Sequence, residues 1–174
     1  MRPLIAALLL IPALAPAGAV KRSSLVALER SFDQRLERAL PDDSFWILGN
    51  TRGFYLEHYG AVFTAEVSLV NTPGLSPFRP SYSKEQLAHL HERKLQRMPL
   101  LRKILEQALV NMAASLDEVP AGEQVAVGVS LFYFSWEDSS GMPAQVVMRG
   151  ERRKLIDLQA GRVPAASVTA VQEF

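Results

Sequence analysis

Apolar residues recur along this chain with two different periods, and each change of period marks a predicted element. Leu25, Leu28, Phe32, Leu36 and Leu40 fall on one stripe at helical spacing, with Glu29, Arg30, Asp33, Arg35, Glu37 and Arg38 elsewhere. Ser24 is placed to cap this helix at Leu25, and Pro41 with Asp42-Asp43-Ser44 to end it in a turn. Phe45–Leu48 then reads as a short strand, and Gly49–Gly53 as a loop. With Tyr59-Gly60 as a two-residue turn, His58 pairs with Ala61, Leu56 with Phe63 and Phe54 with Ala65. That register gathers Phe54, Leu56, Ala61, Phe63, Ala65, Val67 and Leu69 on one face and sends Tyr55, Glu57, Thr64, Glu66 and Ser68 to the other.

Asn71–Pro80 carries three prolines and one glycine and reads as an extended loop. A helix start follows. Ser83 and Gln86 have the spacing of a capping box, with Tyr82 and Leu87 as its hydrophobic staple. The helical pattern runs on to Leu116, and Pro99 inside it predicts a kink or break near Met98. Beyond that point Leu101, Ile104, Leu105, Leu109, Met112 and Leu116 form one broad apolar face. Its burial contributes on the order of 9–18 kcal/mol before chain entropy is subtracted. The next strand is predicted from Gln124 to Trp136. Val125, Val127, Val129, Leu131 and Tyr133 line one side, and small Ala126, Gly128 and Ser130 line the other, where a helix could approach closely. Glu137–Gly141 reads as an acidic hairpin tip, Ala144–Met148 as the returning strand, Glu151–Ala160 as a short helix stopped by Gly161, and Val168–Phe174 as a last strand. Hairpins dominate this order. It predicts an α+β fold: a mostly antiparallel sheet of five to six strands, with a long kinked helix and an N-terminal helix packed on one face.

The first nineteen residues have another character. Arg2 gives a positive start, Leu4–Leu14 an apolar run, and Ala13, Ala15, Ala17, Gly18 and Ala19 a cluster of small residues. This is the pattern of a secretory signal peptide. Ala15 with Ala17, or Ala17 with Ala19, supplies the A-x-A cleavage pattern, so the mature chain is expected to start at Gly18 or Val20. An uncleaved anchor is the alternative, but Pro3–Val20 is only 18 residues long and holds three prolines. No later apolar run exceeds Val125–Phe134, ten residues that include Gly128 and Ser130. Residues 1–19 are therefore expected to be an export signal and 20–174 one α+β domain, destined for the periplasm or the extracellular space.

Composition narrows the chemistry. A chain of 174 residues with 48% apolar and 21% charged residues is in the ordinary globular range. With no cysteine, disulfides, thiol catalysis and Cys-zinc sites are excluded. The serines match neither G-x-S-x-G nor S-x-x-K, and the glycines match no phosphate loop or dinucleotide fingerprint. No cofactor and no metal is expected. The histidines are His58, His89 and His91. His89 and His91 point about 200° apart around a helix and cannot share a metal. Glu85, His89 and Glu92 do share a helical face and could form a carboxylate–imidazole site. His58 beside Glu57 is the other catalytic candidate. Against both stands the more ordinary reading of a solvated helix face and a turn residue. The aromatic run Phe132, Tyr133, Phe134 and Trp136 resembles a ligand-stacking strip, although alternation divides it between two faces and favours sheet packing.

Charge is better organised. Lys84–Lys103 holds six basic and two acidic residues, Arg149–Lys154 four and one, and Asp117–Asp138 five acidic and no basic residues. Without Arg2 the chain balances at 18 of each sign, so charge is separated and not in excess, which argues against nucleic acid. Lys84, Arg93, Lys94, Arg97, Arg102 and Lys103 are the candidate face for an anionic envelope component or an acidic protein.

The segments Arg52–Phe63 and Val129–Asp138 resemble an uncharacterised group of exported bacterial proteins. The resemblance extends over most of the chain after the leader and implies export and a single domain, with no activity and no catalytic residues. The sequence thus points to a small exported binding module without catalysis. The competing reading is a small hydrolase-like enzyme using His58 or His89 with a carboxylate.

Overall fold

The structure is a computed structural model that describes residues 20–40, 44–78 and 81–174. The expected export signal, the expected Pro41–Asp43 stop after the first helix and the end of the loop at Pro80 lie outside the described residues. Those described form α1 (Arg22–Glu37), β1 (Trp46–Leu56), β2 (Gly60–Ser68), α2 (Lys84–Ser115), β3 (Gln124–Leu131), β4 (Gln145–Glu151), α3 (Arg152–Gln159) and β5 (Ala170–Glu173), with a 3-10 turn at Ala165–Ser167 before β5. The strands make one sheet in chain order, β1-β2-β3-β4-β5. Every neighbouring pair is antiparallel except β2 and β3, which run parallel across the α2 crossover. The α+β class and the mostly antiparallel sheet expected from the pattern are present. The parallel pair is an addition, because the long helix returns the chain to the starting end of the sheet.

One apolar core joins the helices to a single face of this sheet. Phe32 and Leu36 of α1, Leu101, Leu105, Leu109 and Met112 of α2 and Leu155 of α3 pack with Ala61, Phe63, Val67, Val125, Val127, Val129, Val146 and Met148. The helices therefore cover the valine side of β3. The expectation that a helix would approach the small side was wrong. Branched side chains must be removed from water, whereas Ala126, Gly128 and Ser130 expose little apolar area and lie on the opposite face.

The capping box is formed: the Ser83 hydroxyl accepts from the Gln86 N–H, and the Gln86 side chain accepts from the Ser83 N–H (2.9 Å). From there α2 stays helical for 32 residues, through Pro99. Of the kink or break expected near Met98, the break is absent. Pro99 lies on the exposed side of the helix, with Leu95 also exposed, so the carbonyl that loses its helical donor is on the water side. At α1 the helix starts at Arg22, earlier than expected. Ser24 is inside it and donates to Glu118 (3.2 Å), so it is not the cap.

The first hairpin corrects the predicted register. Glu57-His58-Tyr59 forms a three-residue turn with His58 at φ 65°, and Leu56 faces Gly60, Phe54 faces Val62 and Gly53 faces Phe63. The shift from the expected pairing is an odd number of residues, so β1 turns over while β2 keeps its predicted face. Phe54 and Leu56 are consequently 41% and 47% exposed, and Gly53 and Tyr55 point to the helices. Gly53 is what Phe63 requires: a Cβ there would lie 2.6 Å from the Phe63 ring. The predicted strand at Phe45–Leu48 and loop at Gly49–Gly53 are one continuous strand with β1, whose register slips near Gly49 absorb the turn-forming residues as bulges. The sheet accordingly has five strands.

A candidate groove and a buried charge clamp

The catalytic candidates are dispersed. His58 sits at the tip of the first hairpin with its side chain 89% exposed and its Nε2 3.8 Å from the Glu57 carboxylate, itself open to water. Glu85, His89 and Glu92 all lie on the exposed side of the first turns of α2. The Glu85 carboxyl is held below its usual range by a hydrogen bond from the Ser83 hydroxyl, a capping interaction with no histidine in it. Among the described residues no group of three or more His, Asp or Glu side chains could hold a metal ion. Both histidines are exposed on the surface.

The basic run of α2 does not form one face. Lys84 is exposed near the N-terminus of the helix. Arg93 is half-buried, and Arg97 donates to the Leu69 carbonyl (2.6 Å). Arg102 grips Glu173 of β5 through Nε (2.6 Å) and Nη2 (2.9 Å), which holds the Glu173 carboxyl below its usual range. Lys94 is withdrawn from the surface altogether. Its side chain is 0% exposed and is paired with Glu137, whose side chain is 2% exposed. Its ammonium also lies 5.0 Å from the centre of the Tyr133 ring. Burial, and then the Glu137 charge, push the Tyr133 phenol up to about 12, and that hydroxyl donates to the Pro143 carbonyl (2.9 Å). One turn earlier in α2, the His91 Nδ1–H donates to the Asp138 carbonyl (2.9 Å). The segment expected to be an acidic hairpin tip is therefore clamped to α2 at Glu137, and only Asp138–Gly141 remains as an exposed tip.

The aromatic strip has a definite arrangement as well. Phe132, Phe134 and Trp136 share the side opposite Tyr133. Trp136 is stacked between Phe134 (4.9 Å) and Tyr82 (4.8 Å), so both of its ring faces are used internally. No face is left on Trp136 for a ligand ring, and the strip closes the loop before α2 onto the end of β3.

A concave surface lies instead between the helices. α1 and α2 enclose a cleft of about 540 Å³ with a floor of Ala39, Leu100 and Ile104 and a rim that carries Arg35, Arg38 and Lys103. A second cleft, about 590 Å³, shares Arg35, Lys103 and Gln107 with the first and continues past Asn111 to Leu158 and Gln159 of α3. Arg35 donates to Gln107 (3.4 Å), and neither Arg38 nor Lys103 has an ion-pair partner among the described residues. Three cations from two helices thus border an apolar floor flanked by carboxamides, with Glu106 as the acid at one end. Lys103 belongs to the predicted basic face. Arg35 and Arg38 were missed, because on α1 alone they read as the wet side of an amphipathic helix, and only the packing of α1 against α2 brings them to Lys103.

Among the described residues no helix is long and apolar enough to cross a membrane. Comparison with protein families, with curated proteins and with solved structures gave no match for this chain.

Proposed function

We propose that this chain is an exported, non-catalytic interaction module that recognises an anionic partner, an envelope component or an acidic protein, through the groove between α1, α2 and α3. The observation that carries the reading is the convergence of Arg35, Arg38 and Lys103 over an apolar floor. Cations with no acidic partner among the described residues, gathered at the mouth of a cleft, raise the local concentration of anions. Export is supported by the leader pattern of Arg2, Leu4–Leu14 and the small residues up to Ala19. All the described elements lie after Val20, so removing the leader would leave them intact. Nothing in the geometry favours hydrolysis by His58 or His89, which stand in open solvent away from the groove.

The test is fluorescence anisotropy with two labelled probes, a polyglutamate of about twenty residues and a sulfated oligosaccharide, chosen to span the two anionic classes. Wild type is expected to bind at least one of them, more weakly as salt rises. Arg35→Glu, Arg38→Glu and Lys103→Glu together are expected to lower that affinity at least tenfold, and Lys84→Glu to leave it unchanged. Equal binding by the triple variant would refute the groove as the recognition surface.

A further inference from the structure

The two edges of the sheet are finished differently. In the middle of β1, three peptide groups that face away from β2 are occupied by side chains of α1. The Gly53 N–H donates to Glu29 (2.7 Å), the Gly53 carbonyl accepts from Arg22 (2.6 Å), and the Thr51 N–H donates to Asp33 (3.1 Å). A strand arriving at that edge finds its partners taken.

The β5 edge has no such cover among the described residues. Phe174 and Gln145 exchange both backbone hydrogen bonds (3.1 and 3.3 Å). By the two-residue alternation of an antiparallel ladder, Gln172 and Ala170 then direct their peptide groups at β4, and Val171 and Glu173 direct theirs outward. All four residues of β5 are exposed. The strand is nonetheless held in place, because the bidentate Arg102–Glu173 pair ties it to α2. On the helix side of β5 a hollow of about 150 Å³ lies among Glu106, Met148, Ala165, Ala166, Thr169 and Val171. Thr169 lines it through its apolar part, since its hydroxyl oxygen is buried out of solvent reach.

We propose that β5 is a strand-addition site that takes an extended peptide segment of a partner protein. The peptide backbone pairs with the outward groups of Val171 and Glu173, and one short branched side chain enters the hollow. Valine suits it better than threonine, since the two have the same shape and the surface of the hollow is almost all apolar, where a hydroxyl would be buried without a partner. A second copy of this chain is the weaker occupant. It would bring a four-residue strand, and pairing of that length falls well short of the roughly 1,200 Å² that a stable interface needs. The proposal is independent of the groove.

Two N-acetylated, C-amidated hexapeptides test it, one alternating threonine with lysine and one alternating valine with lysine, titrated into the ¹⁵N-labelled full chain. Saturable shifts at the Val171 and Glu173 amides are expected, with Thr51 and Gly53 unmoved and the valine peptide at least threefold tighter. Val171→Pro removes an outward N–H and spares the β4 ladder, which unchanged β4 amide shifts will verify. It is expected to weaken binding at least tenfold, as is Ala166→Leu, which fills the hollow. Absence of shifts at millimolar peptide, or undiminished binding by both variants, would overturn the proposal. So would concentration-dependent pairing of the protein through these same amides, which would assign the edge to a second copy.

Discussion

Lys94 shows how one position can be read in two ways. Within the basic run from Lys84 to Lys103 it looks like part of a charged surface, yet it also continues the stripe Leu90, Lys94, Met98, Leu101 and Leu105, all of them buried. The stripe decides its fate, and Glu137 in the connection between β3 and β4 is the compensating charge. Glu137 Oε1 has no hydrogen-bond partner among the described residues, so the pair recovers only part of its desolvation cost. Lys94→Met alone strands a buried carboxylate and is expected to cost about 3–5 kcal/mol in urea unfolding. The double variant Lys94→Met with Glu137→Leu is expected to be markedly more stable than that single variant. A double variant as damaged as the single one would mean that the pair does not act through charge. Tyr133, packed on the same lysine, gives a second residue-scale test. Its phenol is raised to about 12 in the folded chain, against roughly 10 when unfolded. The folded state therefore keeps a proton that the unfolded state has lost. Its contribution to stability is complete below pH 10 and declines as pH rises from there through 12. Tyr55 is raised as well, by burial and its bond to Glu123, so tyrosinate absorbance should show more than one late step, and Tyr133→Phe should remove one of them together with that part of the alkaline loss of stability.

At the scale of elements, α1 closes an edge that would otherwise be sticky. Glu29 interrupts the run of buried side chains Leu25, Phe32 and Leu36 and spends its carboxylate on the Gly53 N–H and on Arg22. Glu29→Ala orphans that N–H and is expected to cost about 1–3 kcal/mol. It should also promote self-association through β1, visible by analytical ultracentrifugation; a variant that loses stability and stays monomeric would separate packing from edge protection. The elements themselves were legible where period and capping agreed. The start of α2 at Ser83, the valine face of β3, the inner face of β2 and the Gly161 stop, with its φ of 69°, all follow from local pattern. Register was not. Tyr59-Gly60 and Glu57-His58-Tyr59 are both chemically acceptable turns, and the choice between them rests on Phe63 needing the space above Gly53. Pro99 does not interrupt α2, and the carbonyl that loses its donor there is on the water side of the helix.

Across the whole molecule, charge is arranged by tertiary packing more than by sequence neighbourhood. Of the six cations counted along α2, Lys94 is spent on the core and Arg102 on β5, while Lys103 joins Arg35 and Arg38 from another helix. The basic composition of α2 was visible from the outset. The groove was not, because it depends on how far apart α1 and α2 lie over one sheet. A bound anion at Arg35, Arg38 and Lys103 should raise the thermal midpoint of unfolding through mass action, and the triple charge reversal should abolish that increment. Both proposed binding surfaces serve the same account, in which the chain is exported and then meets partners through its surface. The most direct test of that account is intact-mass spectrometry of natively produced protein, joined to cell fractionation. Polypeptide beginning at Gly18 or Val20 in the periplasmic or extracellular fraction is the predicted result. Polypeptide that retains Met1–Val20, or that is recovered from the cytosol, would contradict it.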